Sequence, residues 1–150
     1  MITVSLAKAL KLKNKAVEDY NTATSEVMFN NSKDVDETKI LDAKERYEDV
    51  KTLMGSLIEL KTKIHEASAP IRSKIFELGE LKNLLSRVKS LNTKSGVVKE
   101  NQYGSGLVTR TFEAAISEAD KKAEITRIEA LIVSIQDAID DFNTNTTIEI

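Results

Sequence analysis

Apolar side chains recur at helical intervals along most of the chain. In the first segment Leu6, Leu10 and Val17 keep steps that are compatible with one face of a helix. Alanines fill the same stripe at Ala9, Ala16 and Ala23. The cluster Asn30-Asn31-Ser32 then supplies side chains that compete for backbone hydrogen bonds. This pattern predicts a first helix over residues 5–29.

The second helix is predicted over residues 36–67, with Asp34 or Asp36 as its cap. Its apolar positions step by three and four with a single gap at Lys61, and they are Ile40, Ala43, Tyr47, Val50, Met54, Leu57 and Ile64. Such spacing is a heptad seam of the kind that coiled coils use. Charged residues of both signs separate these positions and are typical of a solvated face.

Two further helices are predicted in the second half of the chain. Pro70 suits the first turn of a helix, and leucine-rich periodicity then indicates a third helix over 70–91. A fourth is predicted over 111–142, where a second seam steps through Ile125, Ile128, Ile132, Ile135, Ile139 and Phe142. Because the connection at Pro70 is short, helices two and three are expected to be antiparallel neighbours.

Helical periodicity disappears between these two helices. Over residues 93–110 three glycines punctuate the apolar pairs Val97-Val98 and Leu107-Val108. This segment is either a β-hairpin or a long ordered loop, and the strand signals favour the hairpin. The termini are also β-prone, at Ile2-Thr3-Val4 and over 146–150, so one terminus is expected to pair with the other or with the insert.

These elements predict a mainly α protein with one helical domain over residues 1–150. The expected architecture is a four-helix antiparallel bundle, or a coiled-coil-like arrangement, with a small β-hairpin insert. At 150 residues the chain has the length of one domain. With 41% hydrophobic and 31% charged residues, it resembles neither a disordered tail nor a membrane protein. No signal peptide is visible, so a cytoplasmic protein without a membrane partner is expected, with secretion left open.

The residues that support catalysis are sparse. His65 is the only histidine, and no second histidine completes an H-E-x-x-H zinc site. The absence of cysteine removes thiolate chemistry and Cys-ligated metals, and no serine lies in a G-x-S-x-G motif. Gly104-Ser105-Gly106 lacks the spacing of a phosphate-binding loop. We therefore expect a non-enzymatic protein without cofactor or metal, and an enzyme that uses His65 is the weakest alternative.

Charge is segregated along the chain. Lys82 to Arg110 holds six basic residues and one acid, whereas Glu113 to Asp141 holds eight acids and three bases. An anion or nucleic-acid contact through this basic segment would use Lys94, Lys99, Tyr103 and Arg110. The competing interpretation places the basic segment against the acidic helix of the same chain or of a neighbouring subunit. We favour the latter, because the net charge is -2 and one tyrosine is a poor stacking platform.

The two seams predict self-association. Four helices of unequal length leave part of a heptad seam uncovered, and such a seam usually pairs with a partner. The expected oligomer contacts are Ile40, Tyr47, Val50, Met54 and Leu57 on helix two, and Ile125, Ile128, Ile132, Ile135 and Ile139 on helix four. A twofold dimer is the simplest result. The predicted function is a structural or interaction module, with a further protein partner left open.

The layout resembles the septicolysin-like family of helical bacterial and phage proteins. The matching features are Leu6 to Leu10, Asn30-Asn31, Leu60 to Ile64, Leu78 to Leu91, Tyr103, Ile139 to Asn143 and Thr146-Thr147. The chain departs from the family pattern at residues 64–68, where Ile-Asn-x-Thr-Asn is expected, and it lacks a tryptophan near the carboxyl end. The family label hints at a cytolysin as an alternative function, but the resemblance implies no reaction, cofactor or catalytic residue.

Overall fold

A computed structural model of the chain describes residues 2–32, 34–35, 41–104 and 106–150. These residues form a mainly α protein with two small antiparallel sheets. In chain order the elements are β1 (Thr3–Ser5), α1 (Leu6–Asn30), α2 (Ala43–Ala67), a 3-10 turn (Ala69–Ile71), α3 (Arg72–Lys89), β2 (Gly96–Gln102), β3 (Gly106–Phe112), α4 (Glu118–Asn145) and β4 (Thr147–Glu149). The predicted mainly helical class is confirmed. The backbone divides into two compact units, which comprise residues 1–72 with 139–150, and residues 73–138.

Local capping determines where the first two helices begin. The Ser5 hydroxyl accepts the backbone N–H of Lys8, so α1 begins at Leu6. The Asp42 carboxylate accepts the N–H groups of Lys44 at 2.9 Å and Glu45 at 3.3 Å. A carboxylate in this place satisfies donors that the first helical turn leaves unpaired. The second helix therefore begins at Ala43 and not at residue 36, and residues 36–40 lie outside the described part of the chain.

In the first unit α1 packs against α2. Ala9 and Ala23 are buried on α1, and Val50, Leu57 and Ile64 are buried on α2. Where the carboxyl end of α1 meets the amino end of α2, Arg46 Nε donates to Glu26 Oε2 at 2.7 Å. The heptad spacing on α2 therefore describes the contact with α1.

The chain termini close the same unit. β1 pairs antiparallel with β4, so that Val4 lies opposite Ile148, which confirms the predicted pairing of the termini. Further hydrogen bonds join Ile2 and Ile150 in both directions, at 2.8 and 3.0 Å. The buried cluster at this end comprises Val4, Leu6, Ala9, Ile64 and Ile148. It is called the terminal core below.

A single 3-10 turn, Ala69–Ile71, connects α2 to α3. Pro70 lies in the 3-10 turn, and the α-helical part begins at Arg72, two residues later than the predicted start at Pro70. Proline lacks the N–H that a continuing helix would need, which favours a break at this position. A hydrogen bond connects the two sides of this turn: the Arg72 guanidinium donates to the backbone carbonyl of His65 at 3.2 Å.

The second unit contains most of α3 and α4, with β2 and β3 between them. β2 and β3 form an antiparallel hairpin, which confirms the hairpin interpretation of the insert. Leu78, Ile128 and Ile135 are the buried apolar side chains of this unit among the described residues. Lys89 on α3 pairs with Glu129 on α4 at 2.8 Å. The carboxyl end of α3 therefore lies beside the amino-terminal half of α4.

The fourth helix begins at Glu118, so its predicted start at residue 111 is wrong. Thr111 and Phe112 continue β3, where they lie opposite Val97 and Gly96 in the hairpin register. The actual start is a reciprocal cap in which Ser117 Oγ accepts the N–H of Asp120 at 3.0 Å. The Asp120 carboxylate accepts the N–H of Ser117 at 3.1 Å. This is the capping-box arrangement.

Candidate interaction surface

Most of the two predicted seams is buried within the chain. The fully or nearly buried seam residues are Val50, Leu57, Ile64, Ile128, Ile135 and Ile139. Ile125 and Ile132 are half-buried, and Ile40 lies outside the described residues. Tyr47 and Met54 remain exposed, at 52% and 44%. The seam on α2 is therefore divided, and only two of its described residues are available to another molecule.

The exposed apolar residues on α2 form one stripe. Ile58, 56% exposed, lies one helical turn beyond Met54, which itself lies two turns beyond Tyr47. At about 100° per residue, these side chains lie roughly a quarter turn around α2 from Val50 and Leu57. We call Tyr47, Met54 and Ile58 the α2 flank. Ile58 is not among the predicted seam residues, although its four-residue step from Met54 was a usable signal.

The charged residues on the α2 flank are lysines. Lys44, Lys51 and Lys61 project from the same side of the helix, and all three are exposed. Lys51 Nζ lies 5.5 Å from the Tyr47 ring centroid and 2.5 Å from Glu48 Oε2. A lysine stem beside an aromatic ring extends the apolar surface while its ammonium stays in water. The α2 flank is thus an apolar stripe bordered by lysines, of which Lys51 is paired with Glu48.

The predicted anion-binding residues do not form one cluster. In the hairpin register Lys99 lies opposite Thr109, and Arg110 lies opposite Val98. Since neighbouring residues on a strand project to opposite faces, Lys99 and Arg110 lie on different faces of the hairpin. Tyr103 lies at the turn and is fully exposed. The geometry therefore gives a bound phosphate no convergent set of cations among these residues.

Lys94 is engaged inside the hairpin. Its Nζ lies 2.5 Å from Glu100 Oε1 and 4.1 Å from the Phe112 ring centroid. The hydrogen bond from Lys94 lowers the pKa of the Glu100 carboxyl below its usual value, and the charge of Arg110 acts in the same direction. The basic character that the sequence assigned to Lys94 is thus largely neutralised by Glu100.

This pairing predicts how Glu100 titrates. Because its folded pKa is depressed, the pair contributes fully above the unfolded pKa of about 4.3 and loses its contribution as the pH falls through the folded pKa. Carboxyl carbon NMR should show a lower midpoint for Glu100 in the wild type than in a Lys94→Met variant. Lys99→Met is the matched control, since Lys99 projects from the other face. Equal midpoints in the wild type and Lys94→Met would contradict the pairing.

His65 lies outside any reactive arrangement visible in the described residues. It is exposed near the end of α2, and its ring nitrogens lie 3.2 and 3.3 Å from the Arg72 guanidinium. Among the described residues, no group of three or more His, Asp or Glu side chains is arranged to hold a metal ion. The helices of the described residues include none with the length and apolar character needed to cross a bilayer.

No protein-family model matches the chain, and the comparisons with curated proteins and with solved structures give no match either. The resemblance to the septicolysin-like family therefore rests on the residues quoted above. Among the surfaces of the described residues, the α2 flank is the candidate interaction surface.

Proposed function

We propose that this protein is a non-enzymatic helical module that self-associates and serves as a structural or interaction protein. The single observation that supports the proposal is the α2 flank, where Tyr47, Met54 and Ile58 are exposed on one side of a helix. Soluble proteins expose isolated apolar residues routinely, but an aligned set along a helix is typical of a surface that another helix covers.

Burial of the α2 flank against another molecule would be favourable in free energy. About half of each of the three side chains is still exposed. Burying the remaining surface contributes on the order of 1 kcal/mol for each side chain. In a twofold dimer every contact occurs twice, so the favourable contribution doubles. This offsets part of the loss of translational and rotational freedom that association costs.

The proposed assembly is a coiled-coil-like arrangement of four antiparallel helices, with two helices supplied by each copy. Within one unit α1 covers one side of α2 and leaves the flank open. A helical pair from a second copy would complete the layer, as in other helical bundles. A dimer is the smallest closed assembly with this property.

The test is light scattering coupled to size-exclusion chromatography over a range of protein concentrations. We expect a dimer for the wild type, and a dissociation constant at least about a hundredfold larger for a Met54→Gln, Ile58→Gln variant. The matched control is Thr52→Gln with Glu59→Gln, because these exposed residues lie on another side of α2. Circular dichroism checks that both variants stay helical. A wild-type monomer at every concentration would overturn the proposal.

A further inference from the structure

The outer edge of β3 is not paired with another strand of the described residues. β3 pairs with β2 on one side, and the sheet that they form has two strands. In an antiparallel sheet every second residue of an edge strand turns its backbone N–H and C=O groups outward. The outward groups of β3 bond to no other backbone group of the described residues. A further strand would supply a partner for each of them.

The features that usually protect a sheet edge are missing from β3. It is seven residues long, it contains no proline or lysine, and Arg110 is its one charged residue. Leu107 is 70% exposed, and Thr109 and Thr111 are exposed on the same face of the hairpin. Among the described residues, β2 and β3 contact each other more than they contact any helix. A ribbon of two strands gains stability when further strands extend it.

The residue pattern of β3 is complementary to itself. When a twofold axis passes through Thr109, the midpoint of the strand, all seven residues of two antiparallel copies pair. Thr109 then lies opposite its own copy, Leu107 lies opposite Thr111, and Val108 lies opposite Arg110. Pairs of threonines, and of apolar with β-branched residues, stabilise neighbouring strands. The charged residue faces an apolar one and not its own copy.

The outer edge of β2 does not have this property. Its midpoint is Lys99, so the corresponding pairing of two copies would place Lys99 opposite Lys99. If the axis moves by one residue to Glu100, two carboxylates meet instead. Like charges directly opposite each other on neighbouring strands are destabilising. The sequence of the hairpin therefore favours β3 as the edge that pairs.

We propose that the outer edge of β3 pairs antiparallel with β3 of a second copy, so that two hairpins form one four-stranded sheet. The contact uses residues 106–112 and does not depend on the α2 flank. Each strand exchanges hydrogen bonds to water for hydrogen bonds to its partner, so the net gain for each bond is small. The hairpin contact therefore forms at higher protein concentrations than the contact of the α2 flank, and it joins chains that the α2 flank has already paired.

A single cysteine tests the register, because the chain has no cysteine of its own. In Thr109→Cys the two thiols lie opposite each other across the axis, at a separation that a disulfide can bridge. Asn101→Cys is the matched control, because Asn101 is exposed on the same face of the hairpin but belongs to β2. Both are made in the Met54→Gln, Ile58→Gln chain, so that the α2 flank does not bring the copies together. Oxidised glutathione should link Thr109→Cys chains at least about tenfold faster, as measured on gels without reductant.

A charge at the midpoint provides a measurement without a covalent link. In Thr109→Glu the two carboxylates would face each other across the axis, whereas within one hairpin the new carboxylate lies opposite Lys99 and favours the fold. In the same background, this variant should associate at least about tenfold more weakly in sedimentation velocity. Asn101→Glu changes the net charge equally and should stay within about threefold of its parent chain.

Three results would overturn the hairpin contact. They are equal rates of disulfide formation at the two positions, unchanged association of Thr109→Glu, and a parent chain that stays monomeric at every concentration. None of them bears on the α2 flank, because its own residues are substituted in each of these chains. The comparison of the wild type with the Met54→Gln, Ile58→Gln chain tests that flank separately.

Discussion

A Leu6→Ala chain is expected to lose about 3–5 kcal/mol of unfolding free energy. Leu6 is fully buried and belongs to the terminal core, where it clusters with Val4, Ile64 and Ile148. These side chains come from β1, α2 and β4, so the cavity would open where three elements meet. Urea denaturation followed by circular dichroism measures the change. Since the free energy of unfolding of a small domain is about 5–15 kcal/mol in total, the variant should unfold at much lower urea concentrations.

Leu12→Ala is the matched control for this prediction. Leu12 lies on the same helix but is only half-buried. The identical substitution should therefore cost less than half as much, because less surface returns to water and the site collapses more easily. Equal losses at the two positions would contradict the view that packing in this unit is concentrated in the terminal core.

The parts of the fold that the sequence could predict depend on patterns of short range. Helical periodicity located four helices, and the apolar pairs between the glycines located the hairpin. The alternation Thr147-Ile148-Glu149 predicted a strand, and Ile148 is its buried residue. A repeat of two residues in a strand, or of about three and a half residues in a helix, shows which side chains share a face. The assignments of helices and strands required no more than this.

The ends of the helices were harder to predict from the sequence, because they depend on individual hydrogen bonds. The start of α2 is set by Asp42, whereas the sequence offered Asp34 and Asp36 as equally good caps. The start of α4 is set by the reciprocal bonds between Ser117 and Asp120, a signal that periodicity does not contain. Several capping residues in a row leave a choice that only the tertiary structure makes.

The candidate surface could be predicted only in part. Heptad spacing identified Met54 and Leu57 as members of one seam, but it does not say whether α1 or another molecule covers them. In the structure Leu57 is buried and Met54 is exposed. The pairing of Lys94 with Glu100 was also invisible, because residues six apart meet only once the hairpin has formed.

The alanines of α1 are a second determinant of packing. Ala9 and Ala23 are fully buried, and they lie fourteen residues apart, as do Val50 and Ile64 on α2. Ala9 clusters with Ile64, and Glu26 near the other end of α1 contacts Arg46. The helices are therefore antiparallel, and this register places Ala23 beside Val50. Small residues on one helix opposite large ones on the other allow a close interaxial distance.

Ala23→Leu is therefore expected to lower the free energy of unfolding by about 3 kcal/mol. Three added carbon atoms find no space at a fully buried position, so they force side chains off their rotamers or push α1 away from α2. Ala130→Leu is the control, because the same substitution on the exposed surface of α4 should change stability by less than about 0.5 kcal/mol. Thermal and urea unfolding measure both variants. A stable Ala23→Leu chain would show that α1 and α2 pack loosely, and a loosely packed pair would not hold the α2 flank as a rigid surface for a second copy.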